Sequence, residues 1–203
     1  MAVFHPGGTE LTEHMLSLQP LSPGARVLDI GCGDGETVRM LRNRYHLDAA
    51  GIEANPQLCL QDNVMHGFAE ALPQGSETAD GVLLECVLSR VSAPETAAAE
   101  CFRVLKSGGL LYISDLTAGA EERLLLPAHP DTGCIGRLET AARQKERMER
   151  LGFVLLHEEN RDEDLISYFA ELLFSGADAP AGLSKEERRR LKPGYSLWIW
   201  EKP

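Results

Sequence analysis

The amino-acid sequence predicts an α/β fold: a seven-stranded, mostly parallel sheet with helices on both faces. Three observations carry this. Short apolar runs alternate with amphipathic helical patterns from Val27 to Ser114, as repeated strand–helix units require. Residues 27–35 (VLDIGCGDG) read as a buried strand closed by Asp29, then alternate glycines, then a helix beginning at Glu36. A second acid, Glu53, ends the next strand 24 residues after Asp29. That is where an α/β nucleotide site places the carboxylate that accepts from ribose hydroxyls.

Each element follows in order. Residues 1–25 form a helical lead in which Leu11, Met15 and Leu18 share a face, punctuated by QPLSPG. After the glycine turn, Val38, Leu41 and Tyr45 form the inner face of a helix, and Leu47 to Ile52 is the second strand. Asn55 is positioned to cap a helix starting at Pro56. Asn63 to His66 is a short third strand, and Ala79 to Cys86 a fourth whose unbroken apolar run suits a parallel, doubly covered position.

Pro94 to Leu105 is a helix with Ala97, Cys101 and Leu105 inward. Lys106 to Gly109 turns it into the fifth strand, Leu110 to Ser114, closed by Asp115. Residues 116–137 read as a long substrate-side loop, since loops of that length in compact domains are usually functional or disordered. Leu138 to Leu151 is a charged helix with a solvated RQKERMER face, stopped by Gly152, and Phe153 to His157 is the sixth strand. Asp162 to Ser175 is a helix with Leu165 and Phe169 inward, residues 176–194 a surface excursion, and Tyr195 to Trp200 the last strand. The last two strands are expected to make a reversed edge of the sheet.

Composition bounds the function. A chain of 203 residues with 43% hydrophobic content fits a single domain over residues 1–203. Its net charge of -11 argues against a nucleic-acid partner and suits a small-molecule substrate. No apolar run has membrane-spanning length and no signal pattern opens the chain. Five cysteines without C-x-x-C do not read as a disulfide framework or zinc site, and the six histidines show no metal spacing. A cytoplasmic monomer or homodimer without metal is the expectation.

The glycine turn narrows the cofactor. Glu36 stands where the dinucleotide fingerprint needs a small residue, and no Gly-Lys-Ser/Thr follows as a P-loop demands. What remains, Asp29-x-Gly31-Cys32-Gly33-x-Gly35, resembles the signature of class I S-adenosylmethionine-dependent methyltransferases. The phrase ECFRVLKSGGLLYISDL (residues 100–116) resembles their E-x-x-R-V-L-K-P-G-G segment, with Ser107 for the usual proline. The resemblance implies a Rossmann-like fold, S-adenosylmethionine as cofactor and a small-molecule methyl acceptor. It implies that Asp29, Gly31, Cys32, Gly33 and Gly35 cradle the cofactor, that Glu53 and Ala54 meet its ribose, and that Phe68, Ala69 and Glu70 meet adenine. Phe68 stands where many relatives carry an Asp for the adenine amino group. It also implies that the leading helix lies across the cofactor mouth, where His5 would touch cofactor or substrate.

In open α/β sheets ligands lie beyond the carboxyl ends of the strands. That gathers Asp29, Glu53, Glu85, Cys86, Asp115 and the 116–137 loop on one rim. A narrower resemblance appears there. Arsenite methyltransferases carry a cysteine after the fourth strand and another in the loop after the fifth, in phrases similar to Glu85-Cys86-Val87 and Gly133-Cys134-Ile135-Gly136. The resemblance implies that Cys86 and Cys134 hold a soft, thiophilic acceptor, with Asp115 as a substrate-orienting acid, although no cysteine precedes Cys32 here as it does in those enzymes. Cys59 and Cys101 are expected on helices as packing residues. Two other readings stand beside this one: a non-catalytic S-adenosylmethionine-binding accessory protein, and an NAD-binding enzyme, which Glu36 disfavours.

Overall fold

The computed structural model describes residues 5–60, 63–119, 124–125, 137–174 and 192–203. The strands are β1 (Arg26–Ile30), β2 (Asp48–Glu53), β3 (Val64–His66), β4 (Ala79–Glu85), β5 (Leu105–Thr117), β6 (Leu124–Leu125), β7 (Arg137–Leu138), β8 (Val154–Asn160) and β9 (Gly194–Glu201). The helices are α1 (Gly8–Leu18), α2 (Glu36–Arg44), α3 (Pro94–Val104), α4 (Ala141–Leu151) and α5 (Asp162–Phe174). Seven strands form one sheet in the order β3-β2-β1-β4-β5-β9-β8, and β6 pairs with β7 apart from it. β1 to β5 pair in parallel, and β9 runs antiparallel to both β5 and β8. The expected seven-stranded, mostly parallel sheet with helices on both faces is present.

The central strands are largely apolar because both faces are covered. Side chains alternate between faces with the period of two that a pleated strand imposes. Val27, Leu83, Tyr112, Leu197 and Ile199 pack with α1, α2 and α5, through Leu11, Met15, Val38, Leu41 and Leu165. Leu28, Val82, Leu84, Leu111, Ile113, Trp198 and Trp200 pack on the opposite face with Ala97, Cys101 and Val104 of α3 and Met148 of α4.

Three expectations are corrected. The helix from Pro56 does not form: residues 56–58 make a turn in which Asn55 Oδ1 accepts from Gln57 N at 3.0 Å. An asparagine side chain bonding to nearby backbone competes with helix, and the few residues before β3 are too short a helix to resist. Cys59 therefore sits on a loop. The fifth strand is longer than expected, because β9 pairs along it as far as Thr117 with Gly194, so Asp115 lies inside a strand opposite Ser196. Residues 106–109 are an irregularity within that strand, between the pairs Ala79–Leu105 and Gly81–Leu110. The α4 face is not fully solvated, since Gln144 and Arg147 are buried while Lys145 is only half-buried. The expected reversed edge is present, with β9 between β5 and β8 and antiparallel to both.

Of the expected 116–137 loop, residues 120–123 and 126–136, Cys134 among them, lie outside the described residues, as do residues 175–191 of the surface excursion. Among the described residues no helix is long and apolar enough to cross a membrane.

Candidate functional site

The strand order turns at β1, with β2 on one side and β4 on the other. This is the switch point at which open α/β sheets bind ligands. A cavity of about 620 Å³ lies there, lined from β1, β2, β4, the loops that follow them, and the start of α1 and α2.

Glycines shape its floor. Gly31, Gly33 and Gly35 have φ of +76°, +57° and +76°, the left-handed region in which a side chain is strained. A Cβ on Gly31 would lie 2.7 Å from Val87 Cγ2, so this glycine lets the turn pass under the loop after β4. A Cβ on Gly33 would meet nothing within 4 Å, leaving bare backbone beside the cavity. Gly35 starts α2 and donates its N–H to Cys32 O at 3.0 Å, and it lies outside the cavity lining. Cys32 lines the cavity, but a Cβ on Gly51 would sit 2.4 Å from its Sγ, so its side chain packs down on β2. Burial pushes its thiol up, and nearby Asp29 and Glu53 push it further.

The acids converge. Glu53 Oε2 accepts from Gly33 N at 2.9 Å and Oε1 from Asn55 N at 2.8 Å, so one carboxylate ties the end of β2 to the glycine turn. Glu85 Oε1 accepts from Thr12 Oγ1 of α1 at 2.9 Å, and its Oε2 lies 3.7 Å from His5 Nε2. Asp29 is buried, and its Oδ2 has no hydrogen-bond partner among the described residues. Burial, then the charges of Glu85 and Glu53, holds the Asp29 carboxyl well above the usual carboxylate range. Glu10, Asp34, Glu36 and Glu70 also border the cavity, against Arg90 as the one Lys or Arg of the lining among the described residues. A group of carboxylates with an orphaned buried oxygen favours a cationic occupant.

The adenine-side expectations divide. Phe68, Ala69 and Glu70 all line the cavity. Phe68 is 53% exposed and stands edge-on to His66, which leaves its ring accessible. The Glu70 side chain turns away to accept from Ser92 N and Oγ, at 3.1 and 3.0 Å, below the start of α3. Ala54 lines the cavity beside Glu53.

On the acceptor side, Cys86 lines the cavity with left-handed backbone, φ +56°, unusual for a residue with a side chain. Its Sγ is directed inward, 3.6 Å from Tyr195 Oη, which donates to Ser114 Oγ at 2.9 Å. Cys134 lies outside the described residues, so its position relative to Cys86 is not described. Asp115 is fully buried and does not line the cavity, accepting from Ser89 N at 3.0 Å and Leu116 N at 2.7 Å. Burial raises its carboxyl to about 6 despite those donors.

Sequence reasoning missed Thr12 and Arg90. Thr12 carried a signal, a polar residue on the same side of α1 as Leu16, four positions on. Arg90 carried none. Among the described residues no group of three or more His, Cys, Asp or Glu is placed to hold a metal ion.

Strand order, glycine turn and acid-lined cleft define an α/β protein with a nucleotide-type cofactor site. A methyltransferase-domain family model matches residues 9–158. An uncharacterized methyltransferase of Bacillus subtilis is 30% identical over 80% of this chain and 66% of its own length. An arsenite methyltransferase of Halobacterium salinarum is 26% identical over 70% of this chain and 41% of its own length. The chain thus spans about two fifths to two thirds of these relatives. A geranyl diphosphate methyltransferase solved with S-adenosylmethionine superposes with a TM-score of 0.78 at 16% identity, over 97% of this chain and 86% of that one, which shows the fold. The chain belongs to the class I S-adenosylmethionine-dependent methyltransferase family.

The residues fit that cofactor. Its sulfonium and ammonium are cations suited to Asp29, whose Oδ2 has no partner among the described residues, and to the neighbouring Glu85. The bare backbone at Gly33 lets a ligand approach the turn closely.

Proposed function

We propose that this protein transfers a methyl group from S-adenosylmethionine to a small molecule. The observation that carries the reading is the set of carboxylates around a cleft floored by bare glycine backbone, with Asp29 Oδ2 lacking a donor among the described residues. The cofactor supplies an electrophilic methyl group on a positive sulfur. The chain's own residues do the rest. The glycine turn and Glu53 hold the nucleoside end, Asp29 and Glu85 balance the positive charge, and α1 covers the mouth and excludes water. Such a reaction depends mainly on alignment and water exclusion.

The named acceptors of the relatives, arsenite and geranyl diphosphate among them, share little chemistry. A second reading follows from Cys86 at the cavity wall and the arsenite methyltransferase relatives: a thiophilic acceptor held by Cys86 and Cys134, since sulfur ligands favour soft centres. A non-catalytic cofactor-binding role remains the competing class. Titration calorimetry with S-adenosylmethionine, S-adenosylhomocysteine and NAD separates cofactors. Binding of both adenosyl ligands but not NAD is expected, and no heat with either adenosyl ligand would sink the proposal. Methyl transfer screened over thiols, phenols and arsenite then tests catalysis. Arsenite binding undiminished in both Cys86→Ser and Cys134→Ser would remove the thiophilic reading.

A further inference from the structure

We propose that Asp115 and Glu70 are positioning residues: they fix the loop between β4 and α3, residues 86–93, as one wall of the cofactor cavity, and act through that loop rather than on the reactants. This rests on the methyl-transfer reading above. The loop supplies Cys86, Val87, Arg90 and Val91 to the lining. Val87 lies against the glycine turn, since a Cβ on Gly31 would sit 2.7 Å from its Cγ2. The chain leaves β4 through Cys86, whose φ is +56°. A side chain in left-handed backbone costs free energy, and the conformation persists where the surroundings over-determine it.

Here the surroundings are two carboxylates brought from elsewhere in the chain. Val87 O accepts from Arg90 N at 2.9 Å and from Val91 N at 3.1 Å, so residues 87–91 make a single helical turn. The first N–H groups of such a turn have no partner within it. Cys86 and Val87, at its start, are not capping residues. Asp115 caps the turn from β5 instead: its Oδ2 accepts from Ser89 N at 3.0 Å, and the Leu88 N–H is a further donor to it. Cys86 N also donates to Ser114 O of β5 at 2.8 Å. At the far end Glu70, from the loop after β3, accepts on Oε1 from Ser92 N at 3.1 Å, Ser92 Oγ at 3.0 Å and Ala93 N at 3.4 Å. Ala93 is the N-cap of α3 and offers no side-chain bond, so Glu70 serves that helix start as well. A wall fixed in advance spares the cofactor the cost of ordering it, and methyl transfer depends on alignment.

The test combines calorimetry with S-adenosylhomocysteine and amide hydrogen exchange by NMR, both on the full chain. Glu70 gathers its three donors on one oxygen, so the amide of Glu70→Gln can keep them and should match the parent. Glu70→Ala should bind about tenfold more weakly, the order of one or two net hydrogen bonds. Equal losses in the two variants would mean that the Glu70 charge acts on the ligand directly, and would overturn its positioning role, as would no loss in either. Asp115 uses both oxygens, so an amide there leaves one N–H facing an NH₂ group. Asp115→Asn should bind about tenfold more weakly for the same reason, and exchange at the Ser89 amide should accelerate more than at Leu83 of β4 or Ile113 of β5. Acceleration shared equally by all three would reduce Asp115 to a stabiliser of the sheet and overturn its assignment. If Asp115→Asn does not fold, the parent decides: its Ser89 amide should be protected like that of Leu83, and free exchange there would overturn the cap. A parent without affinity for S-adenosylhomocysteine would overturn the methyl-transfer reading too, whereas a binding parent matched by Glu70→Ala and Asp115→Asn would overturn this proposal alone.

Discussion

Gly31 and Gly33 share a left-handed backbone but differ in what surrounds them, and substitutions should separate the two causes. Gly31→Ala combines backbone strain with a Cβ 2.7 Å from Val87 Cγ2. Strain of about 1–2 kcal/mol and overpacking of about 1–3 kcal/mol should add, read as lost stability in urea denaturation. Gly33→Ala meets nothing within 4 Å among the described residues and should lose only the strain, yet it puts a methyl group on bare backbone beside the cavity. Calorimetry should therefore show Gly33→Ala weakening S-adenosylhomocysteine more than its stability loss explains. Asp29 carries a pH prediction. Its carboxyl is held up by burial and by Glu85 and Glu53, so a cationic cofactor favours the ionised form against a standing proton. Affinity for S-adenosylmethionine should rise with pH in the parent and flatten in Asp29→Asn.

At the scale of elements, α4 shows where pattern reading reaches its limit. Its charged run reads as solvated, but Arg147 is 2% exposed and paired with Glu139 just before the helix, with a longer contact to Glu95 of α3 at 3.3 Å. The Arg147 Nε and Nη1 atoms have no partner among the described residues. Removing one member of a buried pair strands the other, so Arg147→Ala should cost about 3–5 kcal/mol of folding stability. The double change Arg147→Met with Glu139→Leu should recover most of that loss, and guanidinium unfolding of both variants checks it. α1 was legible as an amphipathic helix from Leu11 and Met15. That Thr12 on it would reach Glu85, 73 positions away, was not, because a side-chain bond across the fold leaves no local pattern.

For the whole molecule, stability should carry the mark of Asp115, buried within β5. Its carboxyl is raised to about 6 from an ordinary 3.8. The folded chain therefore holds more protons between those values. The stability this group confers is complete below the unfolded value and lost as pH rises through the folded one. About two units correspond to roughly 3 kcal/mol. Asp80, Glu100, Glu158 and Glu159 are shifted down and act in the opposite sense at lower pH. The stability difference between the parent and Asp115→Asn, followed by urea denaturation from pH 4 to 7, isolates the group and should shrink as pH rises.

By itself the sequence determined the strand–helix alternation, the glycine turn, the acids at the ends of β1 and β2, and thereby the cofactor class, because these signals are local or lie at fixed spacing within one strand–helix–strand unit. Tertiary structure alone decided that β9 threads between β5 and β8, that Asp115 lies inside a strand, and that Arg147 is buried. It also decided that Asn55 turns the chain where a helix was expected, and that His5 and Thr12 meet Glu85. Those outcomes depend on partners far along the chain, and a residue's burial and bonding are set by what packs against it as much as by its own neighbours. The glycine turn names the donor from sequence; the acceptor's chemistry belongs to contacts that only folding assembles.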